Sequence, residues 1–338
     1  MILGRITGLS LIPSYILVLL LASNISAVQL PFDNTCPIHY DNDEVSDTFT
    51  DFYVMTLASA GKIRLSGMST SMPVDLGFAT SEDYERMARD RNTVVALARK
   101  SGFLGIPDPV RGVKGRIYKP APGRIEDTKP NGSAGGWAIV KEARKATPEK
   151  PLVVVVGGPV SVVADAYLLD NSIADKVVVL WFGGYAPETN SMGEYQAWLD
   201  PWASYIVVMK LRLVAIPGGL GGVAVPRSKI LSDLPDTPLR QCMYDLNHPQ
   251  FKHVDYDGDA PAAIPLIHPD YIQKTKRVSF SHWLSYQEKD VPAYKDDPKG
   301  NVLVAINGSG DKFATEKWWQ DMADPAAWNP SPANIPKQ

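Results

Sequence analysis

The sequence predicts an α/β fold: a single domain built on a mostly parallel open sheet with helices on both faces. Three observations carry this. Leu152–Val156 and Val177–Phe182 are unbroken apolar runs rich in β-branched residues, as expected of parallel strands covered on both sides. Residues 160–169 between them have a helical pattern, which completes a βαβ unit. The same alternation of extended and helical segments continues on either side, the order that builds one α/β layer structure.

Along the chain, residues 37–40 form a short extended run ending in Asp41-Asn42-Asp43. Phe49, Phe52, Tyr53, Thr56, Leu57 and Ala60 then recur at helical spacing. Ile63 and Leu65 alternate with Lys62 and Arg64, a strand closing at Gly67. Residues 82–100 read as a helix stopped by Gly102. Residues 119–136 are rich in Pro, Gly and Ser, a surface loop. Leu213–Ile216 reads as a further strand, and the alternation is expected to run on through Ile264–Ile267. Residues 321–338 are expected to form a tail without structure, given the Pro- and Asn-rich stretch after Trp328.

Residues 1–27 read as an address. Arg5 supplies the positive start, residues 15–22 are an unbroken apolar run, and Ser26-Ala27 offers small residues for cleavage. That run falls short of the ~20 residues of a membrane span, so no stable membrane insertion is expected. The domain is expected over residues 28–320 and the protein in the secretory lumen or outside the cell. Cys36 and Cys242 either pair there or remain separate thiols. Asn131-Gly-Ser133 and Asn307-Gly-Ser309 are glycosylation sequons if that route is eukaryotic.

With 34 Lys+Arg against 37 Asp+Glu and a net charge of −3, nothing marks a nucleic-acid polymer as partner. A small-molecule ligand fits better, and self-association into a homo-oligomer stays open. Ligands of open α/β sheets bind beyond the carboxyl ends of the strands. There Asp41, Asp43, Glu44 and Asp47 crowd into one turn. Such a cluster suits a hard cation such as Ca²⁺, or simply begins a helix whose dipole favours acids.

The stretch His39-Tyr40-Asp41-Asn42-Asp43-Glu44-Val45-Ser46-Asp47-Thr48 resembles the D-x-D-P-G-x-D-D signature of the inosine–uridine-preferring nucleoside hydrolases. Further segments follow in the order of that family. Leu65-Ser66-Gly67-Met68-Ser69-Thr70 is similar to L-x-G-I-T-T, and Gly158-Pro159-Val160-Ser161 to G-P-L-T. Val179-Leu180-Trp181-Phe182-Gly183-Gly184 is similar to L-V-x-M-G-G. Glu194-Tyr195-Gln196 is similar to E-F-N, and Gly258-Asp259-Ala260-Pro261 to H-D-P.

The resemblance implies a nucleoside-hydrolase-like domain and an N-glycosidase that hydrolyses a ribosyl–base bond. In that family Ca²⁺ holds the ribose hydroxyls and the attacking water, and an aspartate takes the proton. Position by position, Asp43 matches the calcium ligand and base, Asp259 the distal carboxylate ligand, and Ser161 a backbone-carbonyl ligand. Asp47, Glu194 and Gln196, with Asn190 upstream, match sugar-binding residues. Thr48 stands where the family has a further carboxylate ligand, and Gly258 where it has a histidine. Fewer charged ligands weaken a calcium site, so a non-catalytic sugar- or nucleoside-binding module on the same fold is the alternative.

Other chemistries find less support. Asp41-Asn42-Asp43-Glu44-Val45 also fits the nucleophile motif of haloacid-dehalogenase-type phosphatases, but nothing else aligns. The five histidines lack metal-ligand spacing. Ser161 has no G-x-S-x-G elbow. The Gly218–Gly222 run is not followed by Lys-Ser/Thr.

If residues 1–27 are a cleaved leader, the mature chain begins at Val28. The intact mass of the secreted protein checks this, and retention of Met1 rejects the leader.

Overall fold

The computed structural model describes residues 28–43, 49–76, 79–184, 195–218, 220–246, 256–282 and 293–336. The first half alternates strands and helices: β1 (Pro37–Asn42), α1 (Thr50–Ser59), β2 (Arg64–Met72), α2 (Ser81–Lys100), β3 (Pro109–Lys114), α3 (Ala134–Ala143), β4 (Leu152–Val156) and α4 (Ser161–Leu169). Then come β5 (Val177–Phe182), α5 (Tyr195–Leu199), α6 (Pro201–Lys210) and β6 (Arg212–Ile216). A short excursion holds β7 (Val223–Ala224), α7 (Arg227–Asp233), α8 (Pro238–Asp245) and β8 (Tyr256–Asp257). The chain closes with β9 (Ile272–His282), β10 (Ala293–Asp296), β11 (Val302–Gly308), α9 (Gly310–Met322) and α10 (Pro325–Trp328).

Among the described residues, nine strands form one sheet in the order β10-β9-β11-β6-β5-β4-β1-β2-β3. From β3 to β11 the neighbours are parallel. β9 runs antiparallel to both β11 and β10 and makes that edge. The predicted α/β class, single domain and mostly parallel sheet are therefore present.

The central strands divide their side chains between two cores, as strand geometry requires. Val153, Val155, Val178 and Leu180 face the core capped by α1, α2 and α9. Leu152, Val154, Val156, Val177, Val179 and Trp181 face the core under α3, α4 and α6. Every residue of α1 is buried, so its polar side chains must find partners inside the protein. Thr56 donates to the Phe52 carbonyl at 2.8 Å and Ser59 to the Ala327 carbonyl at 2.6 Å. Tyr53 donates to Asp321 at 2.8 Å. α2 is amphipathic: Thr80 caps it in a reciprocal box with Asp83, and it ends at Lys100 before Gly102.

Several expectations need correction. β2 does not stop at Gly67 but runs to Met72. The expected loop over 119–136 gives way to α3 at Ala134, capped by Ser133. Residues 264–266 form a 3₁₀ turn rather than part of a strand–helix repeat. Of the two states left open for Cys36 and Cys242, the structure has the separate thiols. No helix among the described residues is long and apolar enough to cross a membrane.

The tail expected over 321–338 is structured as far as residue 336. Asp321 is buried, taking an ion pair from Lys62 at 2.9 Å and sitting 2.8 Å from the His268 imidazole. Trp328 meets Phe103 edge-on with ring centroids 4.9 Å apart, and its indole donates to the Met322 carbonyl at 2.7 Å. A Pro- and Asn-rich composition suggested disorder, but one aromatic anchor with a satisfied N–H is enough to dock such a segment.

Trp328→Ala should therefore cost on the order of 3 kcal/mol of unfolding free energy. Trp137→Ala, at a position 48% exposed, should stay within about 0.5 kcal/mol. Urea denaturation of the two variants checks this, and equal midpoints would mean the tail adds nothing to the core.

Candidate active site

β1 has β2 on one flank and β4 on the other. The chain lays β2 and β3 to one side, then returns to add β4 on the opposite side. Such a reversal leaves a crevice at the carboxyl ends of the two strands. From β1 it receives Asp41, Asn42 and Asp43, and from β4 Gly157 and Gly158. The Gly157 N–H extends the ladder by donating to the Asp41 carbonyl at 3.0 Å. A Cβ on Gly157 would stand 2.6 Å from Asn42 Oδ1, and one on Gly158 2.8 Å from Asp43 Cγ. Two glycines are thus what lets these strand ends approach. Trp181 holds the turn from behind, its indole donating to the Gly158 carbonyl at 2.9 Å.

Asp259 reaches the same crevice from the turn after β8. Asn42 Nδ2 donates to Asp259 Oδ2 at 3.2 Å, while Asn42 Oδ1 accepts the Asp43 N–H at 2.9 Å. Asp43 is 7% exposed and Asp259 8%, and the Asn42 amide lies between the Asp259 carboxylate and the Asp43 main chain. The turn carrying Asp259 hangs on Asp257, which accepts the N–H groups of Asp259 at 3.2 Å and Ala260 at 3.1 Å and the Thr50 hydroxyl at 2.8 Å. Burial pushes the Asp257 carboxyl up to about 7. At Gly258 a Cβ would meet nothing within 4 Å among the described residues.

Ser161 opens α4 directly after this crevice. Its hydroxyl is occupied, donating to Asp200 at 2.7 Å. Asp200 also accepts the N–H groups of Ile117 at 2.9 Å and Ala203 at 3.0 Å, and burial raises its carboxyl to about 7. Gln196, in α5, has a buried Oε1 without a hydrogen-bond partner among the described residues. Asp47, Thr48, Asn190 and Glu194 lie outside the described residues. Among those described, no group of three or more His, Cys, Asp or Glu side chains is placed to hold a metal. The described donors are carboxylate and amide oxygens, the chemistry that suits a hard cation.

Sequence reasoning missed the supports beneath these residues. Arg91 of α2 is fully buried. It pairs with Asp51 at 3.0 Å and donates to the carbonyls of Asn42 at 2.9 Å and Ser69 at 2.8 Å. A signal existed: Tyr84, Met87, Ala88, Arg91, Val94, Val95 and Ala98 form one buried stripe, and an arginine on an apolar stripe needs an internal anion. His39 is buried outright. Its Nε2 lies 2.8 Å from Ser69 Oγ, which in turn donates to Asp41 Oδ1 at 2.5 Å. With the serine proton given to the carboxylate, Nε2 carries the imidazole proton. Nδ1 has no hydrogen-bond partner among the described residues and lies where a Cβ on Gly67 would stand 2.3 Å away. Burial lowers the His39 pKa to about 3 and raises that of Asp41 to about 6.

No family model matches the chain. No curated protein matches it by sequence. Solved structures do match. A purine-preferring ribonucleoside hydrolase from Gardnerella vaginalis superposes with a TM-score of 0.61 at 15% identity, over 87% of this chain and 100% of that one. The protein has the nucleoside-hydrolase fold. An inosine–guanosine nucleoside hydrolase shares that fold at a TM-score of 0.61 and 13% identity, over 85% of this chain and 97% of its own. So does the type III effector XopQ, solved with adenosine diphosphate ribose, at 0.53 and 10% over 89% and 95%. At such identities the likeness to these nucleoside-hydrolase structures is one of fold.

His39 yields a pH signature. Its pKa falls from 6.5 in the unfolded chain to about 3, so the native state binds fewer protons in that interval. Its contribution to stability is complete above 6.5 and is lost as the pH falls toward 3. Between pH 7.5 and 5 the loss from this group should be about 2 kcal/mol. His39→Gln, whatever its stability at pH 7.5, should lack that increment in urea titrations at the two pH values. An unchanged acid dependence would place a protonated imidazole in the core.

Proposed function

We propose that this protein is an exported N-glycosidase of the nucleoside-hydrolase type that hydrolyses a ribosyl–base or related N-glycosidic bond with the help of Ca²⁺. The observation that supports the reading is the hydrogen bond from Asn42, the residue before Asp43, to the Asp259 carboxylate at the switch point of the sheet. The residues that would hold the ion are Asp43 and Asp259, with the Ser161 carbonyl and Thr48 as further oxygens. When bound, a hard cation supplies Lewis acidity toward sugar hydroxyls and water.

The chain's own residues divide the remaining work. Asp43 accepts the proton of the attacking water. Ionised carboxylates near the sugar favour the oxocarbenium-like charge that develops as the base leaves. Asp47, Asn190, Glu194 and Gln196 hold sugar hydroxyls. For Gln196 the support is its buried Oε1, an acceptor that no donor among the described residues meets.

A second reading has its own observation. Among the described residues nothing stands within 4 Å of a Cβ built at Gly258, and Thr48 brings no charge; both favour a fold that binds a nucleoside or sugar without turning it over. The secreted location stands or falls with residues 1–27 as a leader.

Calorimetric titration of Ca²⁺ and hydrolysis assays separate these readings. Asp43→Asn should remove most calcium binding and Thr48→Asp should strengthen it, since ligand charge tunes calcium affinity. Inosine, guanosine, uridine and ADP-ribose form the assay panel, each with and without chelator. Chelator-sensitive turnover supports the enzyme. Binding without turnover, unrestored by Gly258→His with Thr48→Asp, supports the binding module. Equal calcium titrations in wild type, Asp43→Asn and Thr48→Asp would remove the metal site altogether.

A further inference from the structure

Asn42 is fully buried at the end of β1, and its amide orientation is dictated by its partners. The oxygen must be the atom that accepts the Asp43 N–H at 2.9 Å. The nitrogen is then the atom facing Asp259 Oδ2 at 3.2 Å and the Tyr40 hydroxyl at 3.0 Å. No other small side chain fits both demands. Aspartate at this position would set a second acceptor against the Asp259 carboxylate, and serine or alanine would not span the gap. Room for the amide comes from Gly157, where any Cβ would press on Asn42 Oδ1 at 2.6 Å. The main chain of Asn42 is held as well, its carbonyl accepting from Arg91 Nη1 at 2.9 Å.

Asn42 and Asp259 stand 217 positions apart in the chain, and Asn42 bonds the Asp259 carboxylate as well as the Asp43 main-chain N–H. We propose that Asn42 is a positioning residue of this site, fixing the Asp259 carboxylate relative to Asp43 while Arg91 clamps its backbone. It acts through Asp259 and need not touch the ion or the substrate. The inference rests on the calcium reading above for its role in function, but the Asn42–Asp259 coupling is measurable without metal.

The test is a double-mutant cycle on Asn42→Ala and Asp259→Ala, read in two ways. In Ca²⁺ titrations Asn42→Ala should weaken binding by about tenfold or more, the usual effect of losing a partner that orients a ligand. In the Asp259→Ala background the same change should weaken it by less than about twofold, because the residue it acts through is gone. Urea unfolding of the four metal-free proteins should show non-additive losses, as for side chains in contact. Where Asn42→Ala does not fold, Asn42→Ser carries the same comparisons. Wild-type affinity in Asn42→Ala, or an equal loss in both backgrounds, overturns the proposal. If wild type binds no calcium, the functional reading fails on its own. The metal-free cycle then decides: non-additive losses uphold the positioning of Asp259, and additive losses overturn it.

Discussion

A guanidinium with no access to solvent governs the active-site end of this sheet. Removing Arg91 from water is tolerable only when its charge and its N–H groups are met inside the protein. Asp51 of α1 meets the charge, at 3.0 Å from Nε and 3.3 Å from Nη2. Main-chain carbonyls of Asn42 and Ser69 and the Thr70 hydroxyl share the Nη1 donors. The guanidinium also lies 5.9 Å from the centroid of the Tyr40 ring. These partners come from β1, β2 and α1, so one cation requires three elements to be seated at once. Asn42 and Thr70 are themselves paired across the β1–β2 ladder. A slip of one residue would carry both away from Arg91 and turn every strand side chain to the wrong face. The network thus specifies register more than it adds net stability, consistent with the modest worth of buried ion pairs.

Polarity along the sheet follows from that arrangement. The middles of β4 and β5 are aliphatic and feed two dry cores. Toward the carboxyl ends, buried polar groups take over: His39, Asp41, Ser69, Ser71 and Thr70. Most are satisfied by one another, with Ser69 and Ser71 both donating to Asp41 Oδ1. Burial raises the carboxyls of Asp41 and Asp257 toward neutrality, so the acids that build the crevice repel one another less than their number suggests. The glycines of the β4–α4 turn complete the design by letting backbone lie where side chains would collide with Asn42 and Asp43.

Much of this was legible in the residues. Runs of valine announced β4 and β5, because a strand buried on both faces has no polar positions to alternate with. Helical spacing marked α2 and its boundaries. The acids after β1 marked the crevice, because a parallel sheet exposes its strand ends where ligands bind. Order of motifs, more than any one of them, pointed to the nucleoside-hydrolase fold. The antiparallel edge of β9, β10 and β11 was harder to see, since Gln273, Lys274, Thr275, Lys276 and Arg277 follow one another in β9 and leave its first half without an apolar alternation. Trp328 was hidden in a composition that reads as disorder.

By itself the sequence determined which segments are buried and which strand ends are acidic, since side-chain period and composition are local properties of the chain. Only the tertiary structure decided which distant groups meet. That Asp259 would share an amide with Asp43, that Arg91 would reach Asn42, and that Asp257 would hang its turn on Thr50 are facts about packing between segments far apart in sequence. No local pattern encodes them. Each contact is made favourable only by burial, which strips away water and obliges every polar group to find the partner that the fold brings within reach.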